Sequence, residues 1–132
     1  MQFDLTNNTQ PEKEIEWVSF GASLKEVGDT FTITATRMSF KAEEGKTPCF
    51  YVFDETNPDH SVGMSVFCEN HPDSPYPNAT PHGVRLARAI GRHFELTGKL
   101  DGQDICNAIN AATEPVVHIE KTEKGVLWTI QA

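Results

Sequence analysis

Few residues in the 132-residue chain have the types and spacing that catalysis or metal binding would need. Cys68 and His71 are separated by two residues, which is the spacing of half a zinc site. A closed structural site takes four ligands, and the chain contains no paired CxxC to supply the others. Alternation with Val62, Met64 and Val66 places Cys68 on the inward face of a predicted strand. We therefore interpret this cysteine as a buried thiol and expect no metal.

A second group of residues that could carry out chemistry is acidic. Asp54, Glu55 and Asp59 lie beside a predicted turn, next to His60. Carboxylates and imidazole together hold the metal ions of hydrolases, but acidic residues beside a turn are more often solvated charges. The sequence has no phosphate-binding glycine loop, no GxSxG and no HExxH motif. We expect no enzyme, no catalytic residues and no cofactor.

The residues that agree in type and position favour binding instead. Two predicted loops, KAEEGKT and KTEKG, are bordered by lysines, and the strands after the first loop carry aromatic rings. Proteins that bind single strands combine a cationic groove with aromatic platforms on which bases stack, at roughly 1–3 kcal/mol per base. The predicted nucleic-acid-binding residues are Arg37, Lys41, Lys46, Tyr51, Phe53, Phe67, Lys121 and Lys124.

Strand alternation indicates which of these rings is free. Phe67 lies opposite the apolar face of its predicted strand and is the best candidate for an exposed ring. In the preceding strand, Tyr51 and Phe53 share one face. Phe50 and Val52 share the other, and the pattern leaves open which of the two faces is the core.

Periodicity predicts the elements that must position these residues. The predicted elements are strands over 30–40, 49–55 and 61–69, helices over 82–96 and 101–112, and a hairpin over 115–131. Four prolines exclude regular structure from segment 70–81, to which no pattern assigns a role. The first helix places Arg85, Arg88 and Arg92 on one flank, which forms either a second nucleic-acid surface or a surface between subunits.

The order β-β-β, one or two helices, then β-β is that of the OB-fold, a partly open five-stranded barrel. We expect a single, mainly β, OB-like domain over residues 1–132, in which 1–20 is a loosely packed N-terminal segment. Ligands of such barrels lie across strands 2 and 3, between the loops that join strands 1 to 2 and 4 to 5.

The first predicted strand changes its apolar face halfway along. Phe31 and Ile33 hold the apolar positions of its first half. Met38 and Phe40 hold positions of the opposite parity in its second half. A β-bulge reverses parity and bends a strand so that it serves both sheets of a barrel, and we predict one near Arg37.

Charge and composition limit the classes of partner and the cellular compartment that the protein can have. The net charge of −8 argues against a protein that simply coats nucleic acid. The charge is uneven, with −6 over residues 43–73 but +2 over 30–42 and +3 over 81–99. Three scattered cysteines favour reduced thiols, and the first residues lack a secretion signal, so we expect a cytoplasmic protein. No apolar run approaches the roughly 20 residues of a membrane span.

Phe3-Asp4-Leu5, the strand-rich first half, the helical segment ARAIGR (87–92) and the closing hairpin together resemble small phage-encoded OB-fold proteins of the single-stranded-DNA-binding type. The resemblance implies binding of single-stranded DNA, or of RNA, without sequence preference. It also implies a role in phage replication or recombination in the bacterial host cytoplasm. The expected protein partners are a second copy, paired through a strand edge, and a phage or host replication protein.

The alternative belongs to another class. A small acidic protein of the phage accessory or anti-defence type binds a protein, as an interaction or inhibitor module, and does not contact nucleic acid. The acidic segment 43–73 would form the contact surface, with Trp17, Tyr76 or the 70–81 loop as anchors. The salt dependence of oligonucleotide binding separates the two hypotheses.

Overall fold

The computed structural model describes residues 14–57 and 59–132. It shows strands at all the predicted places, helices at both predicted places, and two short elements that the sequence did not predict, β1 and α1. In chain order the elements are β1 (Glu14–Trp17), α1 (Phe20–Ser23), β2 (Thr30–Ile33), β3 (Thr36–Lys41), β4 (Cys49–Asp54), β5 (His60–Phe67), α2 (His82–His93), α3 (Gly102–Asn110), β6 (Val116–Thr122) and β7 (Gly125–Gln131).

The strands of the described residues form two sheets. The larger has four strands in the order β1-β5-β4-β3, in which β1 runs parallel to β5 and the other neighbours are antiparallel. The smaller is antiparallel, with the order β2-β6-β7. The mainly β prediction is therefore confirmed. Of the segment expected to pack loosely, 1–13 lies outside the described residues, and β1 begins at Glu14.

The predicted five-stranded barrel is not formed. Segment 30–41 does serve both sheets, because β2 pairs with β6 and β3 pairs with β4. Closure would require a strand of the smaller sheet to pair with the remaining edge of β5. That edge is occupied by β1, whose Glu14–Trp17 lies in register with residues 60–63 of β5. The two sheets therefore stay separate.

The switch between the sheets lies at residues 34 and 35, earlier than the β-bulge predicted near Arg37. Ala35 has a φ of 45°, in the left-handed region, and it separates β2 from β3. The predicted reversal of parity is confirmed, since Ile33 and Met38 are both buried, with 1% and 4% of their surface exposed. A break at a left-handed residue produces this reversal, and the bulge prediction was wrong.

Asp54 stabilises this break. One of its carboxylate oxygens, Oδ2, accepts hydrogen bonds from the backbone N–H and the hydroxyl of Thr34, at 3.3 and 2.9 Å. The other, Oδ1, accepts from the backbone N–H of Thr56 at 2.9 Å. The carboxylate thus joins Thr34, on the β2 side of the break, to the end of β4 and to Thr56 just after it.

Both longer helices pack against the sheets and complete one core. α3 lies against β3, and α2 lies against β7 and β5. α3 begins with a capping box in which Asp101 and Asp104 accept each other's backbone N–H. At its other end, the Asn110 amide exchanges two hydrogen bonds with the backbone of Met38, at 2.8 and 2.9 Å. No helix of the described ranges has the length and apolar character needed to cross a bilayer.

Two glycines of α2 have opposite surroundings, which makes them a matched test of this packing. A Cβ on Gly83 would lie 2.8 Å from the carbonyl oxygen of Phe67, whereas a Cβ on Gly91 would meet nothing within 4 Å. We predict that Gly83→Ala lowers the free energy of unfolding by about 1–3 kcal/mol, because α2 must move off β5. Gly91→Ala should raise it by about 0.5–1 kcal/mol through helix propensity. Urea denaturation measures both, and a stabilising Gly83→Ala would contradict the close approach.

The Asp54 carboxylate should make stability depend on pH. Burial acts to raise the pKa of Asp54, but the hydrogen bonds from Thr56 and Thr34 outweigh it and lower that pKa below its ordinary value of 3.8. A lowered folded-state pKa contributes stability above the unfolded value, and this is lost as the pH falls through the folded value. Asp54→Asn should therefore lower the free energy of unfolding at pH 7 by about 1 kcal/mol.

The difference between Asp54→Asn and the wild type should fade as the pH falls below 3.8. Urea titrations across the acid range measure this difference directly. Glu44→Gln is the matched control, because it removes an exposed carboxylate outside the break. A pH-independent difference for Asp54→Asn would exclude a role for the charge.

Candidate functional site

One face of the four-stranded sheet points away from the core. Phe50 and Val52 are buried, with 2% and 0% exposed, so the alternating Tyr51 and Phe53 face outward. This answers the question of parity that the sequence left open. The outer face, as we call it, comprises Ile15 and Trp17 of β1, Arg37, Ser39 and Lys41 of β3, Cys49, Tyr51 and Phe53 of β4, and Ser61, Gly63, Ser65 and Phe67 of β5.

Strand pairing places an aromatic cluster across the outer face. One row across the four strands is Arg37, Phe53, Gly63 and Trp17. The ring of Trp17 meets those of Phe53 and Tyr51 edge-on, with centroids 5.7 and 6.0 Å apart. A Cβ on Gly63 would lie 3.0 Å from the Phe53 ring, so a glycine at this position leaves room for the ring. The cluster contains three rings from two strands that are not neighbours in the sheet.

A second row extends the outer face to the loop between β3 and β4. Lys41, Cys49 and Phe67 are paired across the strands. Phe67 is 52% exposed, as its opposition to the apolar face predicted. A cavity of ≈ 300 Å³ at this end is lined by Lys41, Glu43, Lys46, Thr47, Cys49, Tyr51 and Phe67. The predicted residues from 37 to 67 therefore lie on, or at the edge of, one surface.

Glu43 reduces the positive charge of this surface. Its two carboxylate oxygens lie 3.2 Å from Nζ of Lys41 and 3.1 Å from Nζ of Lys46. The hydrogen bonds from Lys46 and Lys41, with the charge of Lys41, lower the pKa of Glu43. Such exposed pairs contribute little to stability, but they neutralise neighbouring charges. Arg37 makes no ion pair with any residue that the structure describes.

The other two predicted lysines belong to a different part of the molecule. Lys121 and Lys124 flank the turn between β6 and β7, in the smaller sheet. They line a cavity of ≈ 470 Å³ together with Arg85 and the 70–80 segment, and Lys41 and Lys46 do not line it. The single groove predicted between two lysine-bearing loops is therefore replaced by two separate cavities.

The three arginines of α2 share one flank, as their spacing predicted. Arg85, Arg88 and Arg92 all line a cavity of ≈ 170 Å³ between α2 and β7, together with Trp128. Arg85 also lines the cavity of Lys121 and Lys124. Arg85 thus connects the arginine flank of α2 with the cavity of the two lysines.

The sequence analysis missed Trp17 as a member of the outer face, although it named Trp17 as an anchor of the alternative. The reason is that β1 is four residues long, too short for a strong periodic signal. The sequence Glu-Ile-Glu-Trp does alternate, and this is the pattern of a strand with one apolar face. That pattern could have placed Ile15 and Trp17 together.

The groups considered for chemistry are dispersed. Among the described residues, no three His, Cys, Asp or Glu side chains lie close enough to hold a metal ion. His60 contacts Glu16 at 3.2 Å, and His71 lies 3.8 Å from Asp73. Burial, with the nearby charges of Cys49 and Glu69, raises the pKa of Cys68 to about 11. This cysteine is therefore a poor metal ligand and a poor nucleophile at neutral pH.

The cysteines should be inert in the folded protein. Burial, with a contribution from Cys68, raises the pKa of Cys106 to about 11, and burial also raises that of Cys49. A thiol with this pKa is ionised in about one molecule in a thousand at pH 8, and the thiolate is the reactive form. We predict slow reaction of all three thiols with a chromogenic disulfide reagent, and fast reaction in urea. Rapid stoichiometric labelling of the native protein would contradict their burial.

Comparison of the chain with protein-family models, curated proteins and solved structures finds no match. The resemblance to phage single-stranded-DNA-binding proteins therefore stays a prediction from the sequence. A function has to be argued from the geometry of the outer face and of the neighbouring cavities.

Proposed function

We propose that the protein binds single-stranded nucleic acid, without strong sequence preference, on the outer face of its four-stranded sheet. The observation that carries the proposal is the collection of four aromatic rings on this face. Trp17 and Phe67 are 54% and 52% exposed, and Tyr51 and Phe53 are partly exposed between them. Every base has a face that stacks on such rings, and RNA-binding modules with four-stranded sheets use their aromatic residues in this way.

Three cations beside these rings support the proposal, because phosphate affinity comes largely from lysine and arginine. Arg37 lies at the β3 end of the row that contains Phe53 and Trp17. Lys41 lies at the same end of the row that contains Phe67, and Lys46 borders the adjoining cavity. A strand whose bases stack on β4 and β5 would therefore have its backbone along β3.

The acidity of the chain limits the affinity. Glu43 shares its charge with both lysines, and the net charge of −8 repels a polyanion at long range. Phosphate affinity comes largely from lysine and arginine and falls with salt. We therefore expect binding of moderate strength that depends mainly on stacking. The role in phage DNA replication or recombination rests on the resemblance drawn from the sequence.

Protein binding through the acidic segment 43–73, without contact to nucleic acid, is the second candidate. Tyr76 and Trp17, which the alternative named as anchors, are 72% and 54% exposed. Exposed aromatic residues are enriched at protein interfaces as well. Unlike nucleic-acid binding, this function requires no contact with phosphate.

Removing one ring of the outer face tests the stacking. Phe67→Ser should weaken binding of a fluorescent dT oligonucleotide by about 5- to 150-fold, the equivalent of roughly 1–3 kcal/mol per stacked base. Val27→Ser is the matched control, since Val27 is 62% exposed but lies outside the sheet face. Fluorescence anisotropy at low salt measures both. An equal loss in the two variants would place the site elsewhere, and a matched RNA oligonucleotide compares the two kinds of strand.

Glu43 and Lys46 test the electrostatic part. Glu43→Gln releases two lysines from their ion pairs, so it should tighten binding and steepen its salt dependence. Lys46→Glu should weaken binding and reduce the slope of log affinity against log salt by about 0.7 for one lost contact. Lys25→Glu, with the same change in charge at an exposed site outside the outer face, is the control. If the wild type binds no oligonucleotide at low salt, the protein-binding candidate becomes the better one.

A further inference from the structure

The cavity beside the β6–β7 turn has walls from three separate parts of the chain. The proline-rich segment forms one wall, the first turn of α2 forms the second, and the β6–β7 turn forms the third. Its volume of ≈ 470 Å³ lies in the range of small-molecule sites. The lining residues are Asn70, Ser74, Tyr76, Ala79, Thr80, His82, Arg85, Lys121, Glu123, Lys124, Gly125 and Val126.

Cations predominate in this cavity, although the protein as a whole is acidic. Arg85, Lys121 and Lys124 line it, and Glu123 is the acidic residue among the lining. None of the three cations forms an ion pair with a residue in the described ranges. The cavity is therefore a site where an anion would be attracted and would find uncommitted donors.

A hydrogen bond orients Arg85, and the pKa of His82 responds to the positive charge of the cavity. Nε of Arg85 donates to the carbonyl oxygen of Thr80 at 3.2 Å, which leaves both terminal NH2 groups of the guanidinium for a ligand. Burial, followed by the charges of Arg85 and Lys121, lowers the pKa of His82. The aromatic rings of Phe20 and Trp128 pack against His82 and bring no opposing charge.

The proline-rich wall is built in advance of any ligand. Nδ2 of Asn70 donates to the carbonyl oxygens of Pro77 and Ala79, at 3.3 and 2.6 Å, and so closes the loop on itself. The backbone N–H of Tyr76 donates to Oγ of Ser74 at 3.1 Å. Prolines restrict the backbone further, which lowers the entropy that a ligand must overcome. The loop presents Tyr76, which is 72% exposed, beside the three cations.

We propose that this cavity binds the 5′-phosphate of a nucleotide, with Arg85, Lys121 and Lys124 on the phosphate and Tyr76 beside the base. The guanidinium and the ammonium groups match the charge and the acceptors of a phosphate monoester. The volume and the exposed ring leave room for more than inorganic phosphate. The nucleotide is either free or the end of a strand, and the proposal does not depend on the outer face.

Two double variants of equal net charge test the site. Lys121→Glu with Lys124→Glu changes the cavity, whereas Lys25→Glu with Lys99→Glu changes two exposed lysines that do not line it. Calorimetry with thymidine 5′-monophosphate should show binding to the wild type and to the control, and at least a tenfold loss in the cavity variant. Thymidine, which lacks the phosphate, should bind none of them. Lys124→Glu alone repeats the test at an exposed side chain, in case the double variant does not fold.

Oligonucleotides with and without a 5′-phosphate identify the source of the nucleotide. A preference for the phosphorylated strand that disappears in the cavity variant assigns the site to a strand end. Binding of the free nucleotide without such a preference assigns it to free nucleotides, and in either case NMR should show a raised His82 pKa in the complex. Failure of the wild type both to bind the nucleotide and to prefer the 5′-phosphate would overturn the proposal, and so would equal binding by the two double variants.

Phe67→Ser separates this site from the outer face. If the cavity takes the nucleotide, this variant should bind thymidine 5′-monophosphate as the wild type does, even where it has lost affinity for the dT oligonucleotide. Loss of nucleotide binding in Phe67→Ser would place the nucleotide on the sheet and overturn the cavity assignment.

Discussion

The architecture depends on one short interruption in an extended chain. In a continuous strand the side chains alternate between the two faces in a fixed order. Such a strand cannot supply apolar residues to two differently oriented sheets without a change of parity. The left-handed Ala35 makes that change, and the Asp54 carboxylate holds the preceding Thr34 to the end of β4. Because β3 then pairs with β4 in a fixed register, Phe50 and Val52 enter the core, and Tyr51 and Phe53 face away from it. The aromatic outer face is thus a direct result of the interruption.

Local sequence signals predicted the elements well, because alternation, capping and proline act over a few residues. The apolar residues Ile33 and Met38 have opposite parity in the sequence, and this predicted the change of parity. The residue that carries it was not predictable, since an alanine at positive φ is held there by tertiary contacts and not by its own preference. Barrel closure failed as a prediction for a similar reason. Which strand takes the free edge of β5 is a long-range competition, and the short β1 gave little signal of its own.

The structure brings only some of the predicted site residues together, for the same physical reason. Residues close in sequence to β3, β4 and β5 came together, because hairpin register places them. Lys121 and Lys124 were assigned to the same groove through the expectation of a closed barrel, and they line another cavity. The net charge does not reveal how charges are distributed, since a chain of net charge −8 has two local surfaces where cations collect. Glu43 reduces the positive charge of the surface beside Lys41 and Lys46. The proline-rich loop borders the cavity of Lys121 and Lys124.

The bond between Asn110 and Met38 has a consequence for how copies of the protein meet. The amide uses both a donor and an acceptor of β3, the strand at one border of the larger sheet, so those groups cannot recruit a strand from a neighbour. Among the described residues the opposite border is the four-residue β1, whose glutamates would face like charge in a second copy. Short, charged or covered margins are how soluble β proteins avoid growing into fibrils. The molecule can therefore leave an aromatic surface open to solvent while its sheet resists uncontrolled extension.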